Sequence, residues 1–107
     1  MKMRILKVEP GQAPYVKDIP NTLESIQEEV GGGFFEQLYV GNGIILCCND
    51  EGKLNGMEPN RRFDNDIIFG PFFLVGDSGF GDFISLTDKQ LARGMEAFVA
   101  LGQSTGN

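Results

Sequence analysis

Apolar and polar residues alternate from Met3 to Val8, with Met3, Ile5 and Lys7 on one face and Arg4, Leu6 and Val8 on the other. That period of two predicts a strand. Pro10, Gly11 and Pro14 punctuate a turn, and Tyr15 to Ile19 alternates again, as the second half of a hairpin would. The period then changes. Leu23, Ile26 and Val30 recur at helical intervals behind Asn21 and Glu24, the spacing of a capping box, and Gly31, Gly32 and Gly33 end the helix. Glu28 and Glu29 read as its solvated face.

Phe34 to Val40 and Ile44 to Asn49 are strand-like runs joined by Gly41-Asn42-Gly43, a tight hairpin turn. The second run is apolar on both faces, which places it centrally in a sheet. Lys53 to Asp66 is polar, contains Gly56 and Pro59, and reads as a long loop. Ile67 and Ile68 lead into Gly70-Pro71, and Phe72 to Val75 forms another buried strand. The glycine-rich turn Gly76 to Asp82 connects it to a short return strand, Phe83 to Ser85. Thr87 and Gln90 repeat the capping-box spacing, with Leu91, Ala92, Met95, Phe98 and Val99 on one face of a second helix and Gly102 after it. The expectation is a single α+β domain over residues 1–102, a mainly antiparallel sheet of four to six strands with two helices, and a frayed tail over 103–107. The apolar strands need cover on both faces, and two short helices supply about one. The second face therefore predicts a homodimer or higher homo-oligomer.

Composition narrows the chemistry. The 107 residues carry a formal net charge of −6, so phosphate backbones repel the chain and direct nucleic-acid binding is not expected. There is no histidine, which removes the Ser/His/Asp and Cys/His nucleophile systems. The only two cysteines, Cys47 and Cys48, are neighbours pointing to opposite strand faces, so they neither pair nor share a metal. No catalytic residue, metal site or cofactor is expected. No apolar run suggests a signal peptide or a membrane span, and a cytoplasmic location is the expectation.

The charge map supplies the candidate site. Asp18 to Glu51 and Phe63 to Asp88 contain no Lys or Arg. Between them lie Lys53, Arg61 and Arg62, accompanied by Asn55 and Asn60. Arginine forks and asparagine amides suit phosphate or carboxylate. These five residues are the candidate ligand-binding set; in the alternative they merely neutralise Glu51, Asp64 and Asp66. The Gly76–Asp82 turn lacks the Gly-Lys-Ser/Thr ending of a phosphate loop and reads as a hairpin turn.

Three segments resemble a known family: Leu6-Lys7-Val8-Glu9-Pro10-Gly11; Asn49-Asp50-Glu51-Gly52-Lys53-Leu54-Asn55-Gly56 with Pro59-Asn60-Arg61; and Gly70-Pro71-Phe72-Phe73-Leu74-Val75-Gly76-Asp77 through Phe83-Ile84-Ser85-Leu86-Thr87-Asp88. The family comprises short proteins of phages, plasmids and conjugative elements, chiefly of Gram-positive bacteria, catalogued as a domain of unknown function. The resemblance covers nearly the whole chain. It implies an accessory protein of a mobile element and no particular activity. Combined with the basic island, it leads to a non-catalytic protein that binds a small anionic ligand and sequesters a nucleotide signal of host defence. The alternative is an acidic DNA mimic or protein–protein inhibitor of a host defence enzyme.

Overall fold

The computed structural model describes residues 1–99. In chain order the elements are β1 (Lys2–Val8), β2 (Tyr15–Pro20), α1 (Leu23–Glu29), β3 (Phe35–Gly41), β4 (Ile44–Asn49), β5 (Pro59–Phe63), β6 (Asp66–Phe69), β7 (Phe72–Asp77), β8 (Phe83–Ile84) and α2 (Asp88–Ala97). Six strands form one antiparallel sheet in the order β2-β1-β7-β4-β3, with β8 paired to the end of β7, and β5 and β6 form a separate hairpin. This is the expected α+β architecture. The tail expected over 103–107 and the last residues of the expected domain, 100–102, lie outside the described residues.

Registers explain the core. Leu74 of β7 stands between Leu6 of β1 and Leu46 of β4, and Phe72 between Val8 and Cys48. These side chains form one face of the sheet, together with Ile44 and, from above, Leu86, Leu91, Phe98 and Ile68. On the opposite face Met3, Ile5, Ile19, Cys47, Phe73 and Val75 pack under Ile26 and Val30 of α1. Cys47 and Cys48 fall in different clusters, as strand alternation requires.

Several expectations are corrected. The segment read as a long loop contains the β5–β6 hairpin, whose turn places Asp64 at φ 56°. Asp and Asn tolerate that left-handed conformation, so Asp64-Asn65 serves as a two-residue turn without glycine. This hairpin and α2 cover one face of the sheet, and α1 covers the other. Both faces are therefore buried within one chain, and the uncovered face that motivated an oligomer does not exist. Helix α1 is capped by Thr22 rather than Asn21: the Thr22 hydroxyl accepts from the Ser25 amide at 3.2 Å. Leu23 stays 59% exposed while Ile26 and Val30 are buried. Glu29 is not on the solvated face. It is buried and accepts from Lys7 Nζ at 2.6 Å and Lys17 Nζ at 2.8 Å, tying α1 to β1 and β2.

Helix α2 has the expected capping box between Thr87 and Gln90, but ends at Ala97, ahead of Gly102. Its buried stripe is Leu91, Gly94 and Phe98, whereas Ala92, Met95 and Val99 are exposed. Gly94 explains the rotation. A Cβ there would lie 2.6 Å from Leu6 Cδ2 and 2.8 Å from Leu74 Cδ1, so the missing side chain lets the helix backbone settle onto the sheet.

Candidate functional site

The structure disperses the five candidate residues. Asn60 and Arg61 are interior, at 0% and 3% exposure. Asn60 Nδ2 donates to the carbonyls of Val8 at 3.0 Å and Gly70 at 2.8 Å, joining β1 to the chain that precedes β7. Arg61 Nε donates to the Phe98 carbonyl at 3.2 Å. Its Nη1 donates to Asn60 Oδ1 at 2.8 Å and, more weakly, to the Glu9 and Asn60 carbonyls; Nη2 donates to the Gln12 carbonyl. Burial draws the Arg61 pKa below its ordinary value. These two side chains bind their own chain, which corrects the reading of them as ligand-facing. The cause is local: the β5–β6 register shifts between Pro59 and Arg61, so consecutive residues of β5 both turn inward.

Lys53 and Asn55 are exposed on the turn after β4. Lys53 borders a depression of 230 Å³ that also carries Glu36, Asp50 and Asp66, surroundings of the wrong sign for an anion. Arg62 alone of the five reaches a substantial cleft, 470 Å³ in volume, between the β5–β6 turn, the end of the β3–β4 hairpin and α2. The floor is apolar: Ile44 and Leu74 from the sheet, Phe98 from α2, with Val40 and Phe63 at the sides. Arg62 and Arg93 stand on the wall together with Asp64, Glu96 and Asn42. Neither arginine forms an ion pair within 4 Å among the described residues.

Two local devices shape this cleft. Gly94 holds α2 low over Leu74, forming the floor. Gln90 fixes the far wall. Its Oε1 accepts from the Thr87 amide at 3.0 Å, while Nε2 donates to the Asn42 carbonyl at 2.9 Å and the Gly43 carbonyl at 3.2 Å. One side chain thus caps α2 and anchors the β3–β4 turn, where Asn42 adopts φ 58°. A third hollow, of 260 Å³ and bounded by Thr87, Lys89 and Arg93, adjoins the cleft through Asn42 and Arg93.

The remaining chemistry-bearing groups are engaged elsewhere. In the glycine-rich turn, the Gly79 amide donates to Asp77 Oδ1 at 2.9 Å, and the Phe80 and Asp82 amides donate to Ser78 Oγ at 3.0 and 3.2 Å. These amides serve the turn itself, in line with its reading as a hairpin connection. Both thiols are buried, and burial pushes each up to about 12.

A family model matches residues 3–99, nearly the entire described chain. The chain belongs to the family described as domain of unknown function (DUF3846). The DUF3846 match spans every strand but the first residue of β1, and it includes the cleft, both arginines and the buried Asn60–Arg61 pair. No curated protein and no solved structure matches the chain. No helix among the described residues is long and apolar enough to cross a membrane.

Arg93 escaped the sequence reading because it lies on α2, remote in sequence from the basic island. Only the placement of α2 over the sheet brings it to the same cleft as Arg62. The sequence signal was nevertheless present: Arg93 adjoins Gly94, a helical glycine, and such a glycine marks a place of close approach.

Proposed function

We propose that this DUF3846 protein is a non-catalytic binder of a small anionic ligand with a planar apolar part, a nucleotide by chemical class. The observation that carries the reading is the 470 Å³ cleft with an apolar floor and two arginines outside any ion pair among the described residues. Its size falls in the range of small-molecule sites, about 300–1,000 Å³, and its plan of apolar walls with few polar groups is the usual one. A base would rest on Ile44, Leu74 and Phe98, and a phosphate would meet Arg62 and Arg93. Asn42 and Glu96 supply groups able to read the edge of a base. The described residues that line the cleft include no serine, threonine, cysteine, lysine or histidine, so the reading is capture rather than turnover. In a phage or mobile element, such a protein in the bacterial cytoplasm would withhold a nucleotide signal from host defence.

Calorimetry tests this with adenosine and guanosine monophosphates, their cyclic forms and inorganic phosphate as probes. A nucleotide should bind more tightly than phosphate alone. Arg62→Ala and Arg93→Ala should each weaken it about tenfold or more, the value of one charge-assisted hydrogen bond. No heat with any probe at about 1 mM, or binding indifferent to both substitutions, overturns the reading. The bound nucleotide should be recovered chemically unchanged after long incubation.

A further inference from the structure

The six-stranded sheet ends in two edges of different character. Edge strand β2 carries Lys17, Asp18 and Pro20, which are among the devices that discourage further pairing. Edge strand β3 reads Phe-Glu-Gln-Leu-Tyr-Val-Gly, with one charge and no proline. Its backbone polarity can be assigned. The Asp50 amide donates to the Phe34 carbonyl at 3.0 Å, so Phe34 bonds across to the β4 side. Antiparallel ladders alternate. Glu36 and Leu38 therefore bond inward to β4, and Phe35, Gln37 and Tyr39 present their amides and carbonyls outward. The pairing with β4 is regular from Phe35 to Tyr39 and shifts only beyond it. Gln37 is the centre of that regular stretch.

We propose that β3 pairs antiparallel with β3 of a second copy of this chain about a two-fold axis at Gln37, joining two sheets into one. The argument for a second copy is self-complementarity. A two-fold at Gln37 sets Phe35 opposite Tyr39 of the partner subunit and Gln37 opposite Gln37 of the partner subunit, and the outward backbone groups of all three residues match. Each of these would be a pair exchanging two backbone hydrogen bonds. Phe35 and Tyr39 would form aromatic cross-strand pairs on the α1 side of the sheet, a favoured combination. Glu36 would face Leu38 of the partner subunit, so the strand's single charge never stands directly opposite itself. Tyr39, 64% exposed, and Phe34, 74% exposed, would gain cover. This surface is an edge and owes nothing to an uncovered sheet face. It is also independent of the ligand reading.

The test is analytical ultracentrifugation of the whole chain from about 1 µM to 1 mM, the span of weak to moderate affinities. The expected result is a rise from one-chain to two-chain mass, favoured by added salt because each copy carries net charge −6. Gln37→Pro removes an outward amide and leaves the inward ladder intact, so it should hold the mass at one chain. Gln37→Lys sets two cations against each other and should do the same at low salt. Circular dichroism shows whether each variant folds. Hydrogen exchange should slow at Phe35, Gln37 and Tyr39 as concentration rises, and should not change at Glu36 and Leu38. A one-chain mass throughout the range overturns the proposal. So does a two-chain mass that survives both substitutions, or a mass that keeps growing past two chains.

Discussion

The Arg61 guanidinium sits at the C-terminal end of α2, where its Nε donates to the Phe98 carbonyl at 3.2 Å. Phe98 is the C-cap of that helix, and the last turn holds no basic residue of its own. A cation from β5 therefore meets the negative end of the helix dipole and one of its unsatisfied carbonyls. The same guanidinium reaches the turn after β1 through the carbonyls of Glu9 and Gln12. Arg61 is thus a clamp between β5, α2 and the β1–β2 turn.

Replacing it should act on stability. Arg61→Met removes hydrogen bonds to several buried carbonyls, and a loss of about 3–5 kcal/mol is expected in urea unfolding at neutral pH. Arg61→Lys should recover only part of it, because a point charge cannot reach carbonyls spread around a planar fork. A change within about 0.5 kcal/mol, typical of surface substitutions, would contradict the clamp.

The Glu29 carboxylate makes a second prediction, on pH. Burial by itself pushes its pKa up, but hydrogen bonds from Lys17 and Lys7 outweigh burial and hold it below the ordinary 4.5. A carboxyl depressed in the folded state contributes stability that is fully present above its unfolded pKa. That stability is lost as pH falls through the folded value. Unfolding curves across the acid range should therefore show a decline in stability below about pH 4.5 that Glu29→Gln lacks. At neutral pH the same substitution leaves Lys7 buried without its counter-ion and should cost about 3–5 kcal/mol. Parallel acid curves for the two proteins would exclude this role.

These two residues show what the sequence made legible. The strands of the six-stranded sheet, the β3–β4 turn and the Thr87–Gln90 cap follow from periodicity and local chemistry, which act over a few residues. Glu29 and Arg61 resemble surface charges because their partners lie far along the chain: Lys7 is 22 residues from Glu29, and Phe98 is 37 from Arg61. The β5–β6 hairpin was hidden because Asp64-Asn65 replaces the expected glycine turn and a bulge breaks the alternation of β5. The basic island therefore looked like one site. In the fold it divides into a buried clamp, an acid-flanked lysine and one arginine at the cleft, where Arg93 joins it from another element.

Gly94 gives a prediction whose sign opposes helix propensity. Alanine in place of an exposed helical glycine stabilises by about 1 kcal/mol. At Gly94 the added methyl meets Leu6 and Leu74, so Gly94→Ala should instead destabilise by about 1–3 kcal/mol, the usual effect of overpacking. Displacement of α2 should also weaken the nucleotide binding proposed for the cleft. Ala92, exposed on the same helix, is the control: Ala92→Gly should cost about 1 kcal/mol through propensity alone. A stabilised Gly94→Ala protein would mean that α2 can move away from the sheet without penalty.

The paired cysteines provide the last test, one of the core as a whole. Cys47 lies on the α1 side of the sheet and Cys48 on the α2 side. Burial pushes the Cys47 thiol up to about 12, with a smaller contribution from Cys48. Burial likewise pushes Cys48 to about 12, aided by Glu36, whose Oε1 accepts from its Sγ at 3.8 Å, and by Asp50. Only the thiolate reacts with disulfide reagents and alkylators, and at pH 8 a pKa of about 12 leaves on the order of one group in ten thousand ionised. Both thiols should therefore resist a chromogenic disulfide reagent in the native protein and react at once in denaturing guanidinium chloride. Slow native labelling should follow the opening of the sheet, so Arg61→Met and Gly94→Ala should accelerate it in step with their lost stability. Because the two thiols point to opposite faces, mass spectrometry of the labelled peptide distinguishes the routes. Labelling of Cys48 ahead of Cys47 would indicate opening under α2 and the β5–β6 hairpin, whereas equal rates would indicate global unfolding. Rapid stoichiometric labelling of either thiol at native pH would show that its face of the sheet is not covered as described.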